Sequence, residues 1–264
     1  MIERAEQEKL LALALESARE AAEMVHAAWR KHPIVEHKGA VDLVTAYDRA
    51  SERYLRDRLT RETSVPCVGE EQGGTCAPGA NDPTWYVDPI DGTTNYVHGH
   101  PFYCVSVGLL AGHRPLLGAI VAPALAVEWA GIAGAFATRN GEPCQVSRVT
   151  TFDDALLATG FPYDRKTSAD NNFDAFVAIK KRAQAVRRCG SAAIDLCLVA
   201  DGTYDGYWER KLRPWDLAAG AAIVLGAGGR ISSFEGTPAD ITTGHLVATN
   251  GAIHEALLRA LQSK

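Results

Sequence analysis

No stretch of the 264-residue chain stays apolar for the ~18 to 20 residues that a membrane-crossing helix requires, so no membrane span is expected. No Cys-x-x-Cys pair occurs either. The six cysteines stand apart at 67, 76, 104, 144, 189 and 197, and no apolar leader precedes the charged opening from Met1 to Glu6, which together lead to the expectation of a reduced, cytoplasmic protein. Excess positive charge is also missing. A formal net charge of −5 argues against nucleic acid as a partner, and the one basic stretch, Lys180-Lys181-Arg182 with Arg187-Arg188, reads as a solvated face. There is no internal repeat, no low-complexity segment and no linker of distinct composition, so any division of the chain is soft.

What is present is ample core material, 47% apolar residues, in a length that suits one large α/β domain or two packed lobes. Leu11, Leu15, Ala18, Ala22, Val25 and Trp29 recur at steps of four and three, which places them on one stripe of a long helix that Pro33 should end. A short strand is expected around 34–36 and a second helix from about Leu43 to Thr60, with Asp48 in its early turns. After a Gly- and Pro-rich loop over 73–84, Trp85-Tyr86-Val87 reads as a buried strand that stops at Asp88-Pro89. Runs at 104–110 and 115–121, and a hairpin closed by Asn140-Gly141, predict a mostly antiparallel region. Beyond about residue 150 strands and helices alternate: a strand at 155–159, helices near 172–182 and 191–200, a strand at 204–208 and a helix from about Trp215 to Leu225. The expected division is an N-terminal α+β lobe over 1–145 and a C-terminal α/β lobe over 146–264.

Three short segments carry chemistry. In Asp88-Pro89-Ile90-Asp91-Gly92-Thr93-Thr94-Asn95, two carboxylates three residues apart straddle a strand end, Pro89 keeps Asp88 extended, and Gly92 lets the backbone approach a ligand closely. If a helix starts there, the free amides of Gly92, Thr93 and Thr94 form an anion site. Glu70-Glu71 follows another short apolar run, and Asp216 opens an Ala-rich helix within Arg213-Pro214-Trp215-Asp216-Leu217-Ala218-Ala219-Gly220. Each has a plainer reading: Asp91 and Asp216 as helix caps, Glu70-Glu71 as a solubilising turn, and Asp48 as a complement to a helix dipole. Carboxylate and carbonyl oxygens are the donors that hard divalent cations prefer. His98 and His100 lack any partner spacing for zinc and read as turn residues.

Taken in order, Gly69-Glu70-Glu71, the 88–95 segment and Trp215-Asp216-Leu217-Ala218-Ala219-Gly220 resemble the signature of the inositol monophosphatase family, and the likeness extends to Val41–Thr45 and 187–198, with 212–215 similar to bacterial members. The resemblance implies a layered αβαβα sugar-phosphatase fold, a homodimer and Mg²⁺ as cofactor. Carried across residue by residue, it implies that Glu70, Asp88 and the carbonyl of Ile90 hold one metal, that Asp88, Asp91 and Asp216 hold a second, and that Asp48, Glu70 and Thr93 serve the attacking water. It assigns phosphate binding to Gly92 and Thr93 with Asp91 and Thr94 beside them. The alcohol side falls to Gly190, Ser191, Ala192 and Glu209, for which the plainer reading is a helix cap at Ser191 and an exposed Glu209. The implied reaction is in-line hydrolysis of inositol monophosphate or a related polyol or sugar monophosphate. Arg210-Lys211, where relatives often carry small or apolar residues, suggests room for a second acidic group. Same-fold alternatives are a phosphatase for histidinol phosphate, fructose 1,6-bisphosphate or a 3′-phosphonucleotide, and an alternative of another class is a regulatory protein that binds the transcription machinery.

Overall fold

A computed structural model describes residues 2–31, 35–37, 43–72 and 82–262. The chain opens with helix α1 (Arg4–Ala28), whose buried face includes Leu11, Ala18, Ala22 and Val25 of the expected stripe, while Leu15 is only partly buried and Trp29 falls just past the helix end. The helix stops at Ala28, before Pro33, which with Val41, Asp42, Cys76 and most of the 73–84 loop lies outside the described residues. A two-stranded antiparallel ribbon of β1 (Val35–His37) and β2 (Leu43–Thr45) follows. Residues 43–45 therefore pair as a strand instead of beginning the second helix, as their Leu-Val-Thr sequence suits. Helix α2 runs from Ala46 to Thr63 and buries Asp48, Ser51, Glu52, Leu55 and Leu59 on one side.

The larger sheet has seven strands in sequence order: β3 (Cys67–Gly69), β4 (Pro83–Asp91), β5 (Cys104–Ala111), β6 (Arg114–Ala122), β7 (Val127–Ile132), β8 (Phe136–Arg139) and β9 (Glu142–Cys144), with the five-residue helix α3 (Thr93–Val97) between β4 and β5. Only β3 and β4 pair in parallel; the remainder is an antiparallel meander. Strand β4 does not stop at Asp88. It continues to Asp91 through a register shift against β5, because Pro89 donates nothing to a ladder but tolerates an irregular position.

The second sheet holds five strands in the order β11-β10-β12-β14-β13, where β10 is Leu156–Thr159, β11 Ala185–Arg187, β12 Gly206–Glu209, β13 Arg230–Ser232 and β14 Leu246–Thr249. Strand β10 is parallel to both neighbours, and β14 is antiparallel to both of its own. Helices α4 (Phe173–Lys180), α5 (Ala192–Ala200), α6 (Pro214–Gly226) and α7 (His254–Gln262) complete the chain.

Alternation along β5 sorts the layers. Val105, Val107 and Leu109 face a core shared with α1 and α2, whereas Cys104 and Leu110 face a core shared with α5, α6 and the second sheet. A third core, with Phe152, Leu157, Trp208, Val247 and Leu257, lies between the second sheet, α4 and α7. The result is helix, sheet, helix, sheet, helix. The middle layer is drawn close by glycine: Gly108 and Gly118 face each other across β5 and β6. A β-carbon at 118 would stand 2.7 Å from the carbonyl carbon of Ala219, and one at 108 would stand 2.7 Å from the Ala218 methyl. Helix α6 thus lies with its backbone almost on the sheet, and in its first turn the Trp215 carbonyl accepts from the Ser106 hydroxyl of β5 at 3.4 Å.

Candidate active site

A cavity of about 1050 Å³ opens where the ends of β4, α3, α5, β12 and α6 meet. Its wall carries Glu70, Asp88, Asp91 and Asp216, along with Ile90, Gly92, Thr93 and Thr94, and also Gly190, Ser191, Ala192 and Glu209. Every residue expected at the site lines this space except Asp48. That carboxylate is fully buried in the first turn of α2, and its charge adds to burial in holding the Tyr96 phenol of α3 above its usual pKa.

The acids are held by different means. Asp88 accepts a hydrogen bond from the Ile90 amide at 2.9 Å, closing a local turn around Pro89. Asp91 is fastened from across the molecule. Its Oδ2 accepts from the Ser191 hydroxyl at 2.6 Å and from the Ala193 amide at 2.7 Å, at the N-terminus of α5. Asp216 accepts from the Arg213 amide at 2.7 Å and so does cap α6, with Pro214 in the first turn. Capping and site membership coincide in this residue. Ser191 likewise caps α5, accepting from the Ile194 amide at 3.3 Å while lining the cavity. On the near side, Gly92 takes a left-handed φ of 90° before α3, and the Thr93 hydroxyl donates to the Ile90 carbonyl at 2.9 Å. Asn95 ties α3 to the 189–190 turn, its amide donating to Phe102 O at 2.7 Å and Cys189 O at 2.9 Å.

Electrostatically the wall is in conflict. Burial pushes the Asp88 carboxyl well above the usual carboxylate range, and the neighbouring charges of Glu70, Asp91 and Asp216 push it further. Asp216 is raised for the same reasons, with Asp91 and Glu70 the acting neighbours. Asp91 is raised by burial, against the pull of the Ser191 hydroxyl and the α5 amides. Hard oxygen donors that repel one another at one end of a cavity are a set that a divalent cation would relieve, so the residues present fit Mg²⁺. Among the described residues, no three His, Cys, Asp or Glu side chains are already closed on one point as a metal cage.

Glu209 is buried, not exposed. It accepts a short hydrogen bond from the Tyr207 hydroxyl, and burial lifts its pKa to about 7 against the opposing charge of Arg188. Gly160 leaves room for it, since a β-carbon there would overlap the carboxylate. The cations at 210 and 211 line the cavity and are paired at its edge: Arg210 pairs with Asp170 at 3.4 Å and covers the Phe234 ring, and Lys211 donates to Asp164 at 2.8 Å and Ser168 Oγ at 2.7 Å. They tie the 161–171 loop to the cavity wall, where the cations were expected. The site also contains a residue that the sequence reading passed over. Asp195 in α5 is buried, lines the cavity and has an Oδ1 without a hydrogen bond. An acid inside the otherwise apolar run Ala192–Ala200 was the available signal.

Comparison with known proteins fits this architecture. The model of the inositol monophosphatase family matches residues 6–264. An inositol-1-monophosphatase of Synechocystis is 41% identical over 252 residues, 95% of this chain and 88% of that protein. The Nus factor SuhB of Pseudomonas aeruginosa is 35% identical over 259 residues, 96% of each chain. The structure of an inositol monophosphatase from Anabaena superposes with a TM-score of 0.87 at 40% identity, covering 96% of this chain and 95% of that one. The fold is that of the layered phosphatases, and the chain belongs to the inositol monophosphatase family. It is accordingly a phosphoric monoester hydrolase.

Proposed function

We propose that the protein hydrolyses inositol monophosphate, or a polyol or sugar monophosphate of similar shape, at the cavity walled by Glu70, Asp88, Asp91 and Asp216, with Mg²⁺ as cofactor. The observation that carries this reading is the mutual repulsion of acids drawn from three separate segments, Asp88 and Asp91 buried and Glu70 and Asp216 half-buried, next to a cavity wide enough for a sugar-sized alcohol. Glu70, Asp88 and the Ile90 carbonyl would hold one cation, and Asp88, Asp91 and Asp216 another. Bound there, the cations supply Lewis-acid activation of water and neutralise charge on the departing oxygen.

The chain's own groups do the rest. The backbone from Gly92 to Thr94 presents N–H donors to the phosphate, while the Thr93 hydroxyl, held on the Ile90 carbonyl, orients the nucleophilic water from below. Asp48, buried in the first turn of α2, would serve the same water together with Thr93. Across the cavity, Glu209 accepts hydrogen bonds from the alcohol's hydroxyl groups, and Gly190, Ser191 and Ala192 shape the surface against which the ring lies. Water adds to phosphorus in line with the ester oxygen, that P–O bond breaks, and the alcohol leaves with a proton. The test is phosphate release from a panel of inositol, sugar, histidinol and nucleotide monophosphates, with Mg²⁺ and with chelator; no metal-dependent turnover on any of them refutes the reading.

The same proposal extends to a homodimer, on the family resemblance alone, and to the cytoplasm, which the unpaired thiols of Cys67, Cys104, Cys144, Cys189 and Cys197 suit. No helix among the described residues is long and apolar enough to cross a membrane. Contact with the transcription machinery has less support. The basic stretch expected to carry it is split, with Arg182 lying over the Phe152 ring and Arg188 turned to the cavity.

A further inference from the structure

Glu52 is wholly buried in α2, one turn after Asp48, and nothing in the reaction above uses it. Its carboxylate lies directly beneath the turn that follows β3. It accepts from the Glu71 amide at 2.6 Å through one oxygen and from the Gln72 amide at 2.9 Å through the other, and Arg56, one helical turn on, approaches at 3.5 Å. Space for it is made by Gly69, where a β-carbon would stand 2.6 Å from both carboxylate oxygens.

The peptide unit between residues 70 and 71 is planar, so the direction of the Glu71 N–H is set by the ψ angle of Glu70. Fixing that N–H on a buried carboxylate therefore fixes the backbone from which the Glu70 side chain projects. From the other side, Gly69 is registered against Val87 in the parallel pairing of β3 and β4, and Val87 immediately precedes Asp88. Glu70 is thus bracketed between the sheet and Glu52. We infer that Glu52 is a positioning residue for the metal site: its carboxylate, clasping the 71 and 72 amides beneath Gly69, aims Glu70 at the cavity wall shared with Asp88. The inference rests on the proposed function for the identity of the cation, but the clasp itself is a property of the folded chain. Glutamine cannot replace glutamate here, because its NH₂ group would face one of the two amide donors that the carboxylate accepts.

The experiment has two arms. In the first, Mg²⁺ binding to wild type and Glu52→Gln is measured by calorimetry on the metal-free proteins. An affinity loss of about tenfold or more in a variant that remains folded is expected, the range typical of residues that orient ligands. Gly69→Ala, which must evict the carboxylate, should act in the same direction in wild type and change affinity less than about twofold in a Glu52→Ala background, by the logic of a double-mutant cycle. A folded Glu52→Gln variant that binds Mg²⁺ as wild type does overturns the inference. In the second arm, residue-resolved hydrogen exchange on wild type reads the clasp without any variant. The 71 and 72 amides should be protected although their turn lies near the surface, and free exchange at both overturns the inference even if Glu52→Gln fails to fold. Absence of Mg²⁺ binding by wild type would refute the proposed function and leave the exchange arm to decide the clasp.

Discussion

Asp88 and the ring of His254 are both buried, yet the protein treats their surroundings in opposite ways. His254 is fully satisfied: Thr249 Oγ1 stands 2.9 Å from Nδ1 and Ser232 Oγ stands 2.8 Å from Nε2. Because the Ser232 hydroxyl also lies 2.7 Å from the Ser233 carbonyl, it donates there and accepts from an Nε2–H, which leaves Nδ1 to accept from Thr249. Nearby, Asn250 is equally complete, donating to Ser147 and Val149 and accepting from Ile253. The carboxylates at the cavity have some hydrogen bonds each, but their nearest charges have their own sign. A paired polar centre specifies a fold, whereas a self-repelling one waits for something to bind.

The comparison breaks most visibly in catalysis. Asp216→Asn, or Asp91→Asn, should reduce Mg²⁺-dependent phosphate release about a thousandfold or more, since a ligand charge is lost where charge develops in the transition state. Near-normal steady-state turnover in either variant would show that the repulsion is incidental. Next in size is the effect of the cation on stability. Mg²⁺ at about a hundred times its dissociation constant should raise the unfolding free energy by about 2.7 kcal/mol, read from denaturant midpoints at fixed pH.

The two centres should also bend the stability curve in opposite directions. Asp88 and Asp216 have raised pKa values in the folded state, so that state binds protons more tightly than the unfolded chain. Their contribution is fully present below the usual carboxylate range and is lost as pH climbs through their raised values. Metal-free protein should accordingly lose stability on going up in pH from about 4, and Asp88→Asn should flatten that loss. His254 works the other way. Burial lowers its pKa to about 4, so stability falls as pH drops from about 6.5, where the unfolded ring takes a proton, to about 4, where the folded one does. Between pH 7 and pH 5 this amounts to about 2 kcal/mol, and a neutral isostere such as His254→Gln should remove that slope in urea unfolding. Comparable in size is Gly118→Ala, which adds a methyl between β6 and the backbone of α6 and should cost about 1 to 3 kcal/mol in the same assay.

Much of this plan was legible in the chain. The four-and-three recurrence of Leu11 through Trp29 could serve only a helix, and the acid-bearing segments were recognisable because residue type, spacing and order recur together. Other parts were not legible, for physical reasons. Residues 43–45 form a strand because they pair with 35–37, a long-range fact that no local pattern carries. The strands at 230–232 and 246–249 are only three and four residues long, too short for alternation to declare itself, and were not anticipated. Asp48, Glu52, Leu55 and Leu59 lie at steps of four, three and four on the buried side of α2, but a glutamate within a charged helix looks like surface until the turn that it holds is in view. For the same reason the carboxylate partners of Arg210 and Lys211, some forty residues earlier, could not be read beside them, although both cations do line the cavity.

The glycine contacts beneath α6 set a mechanical tolerance. At Gly108 and Gly118 the helix is seated on the strands by main chain, so there are few soft torsions between the ladder that carries Asp88 and the rod that carries Asp216. The seat lies only one turn from Asp216, so the lever arm is short and thermal rocking of the rod translates into little travel at its tip. Accuracy at the site is thereby inherited from a joint made of main chain.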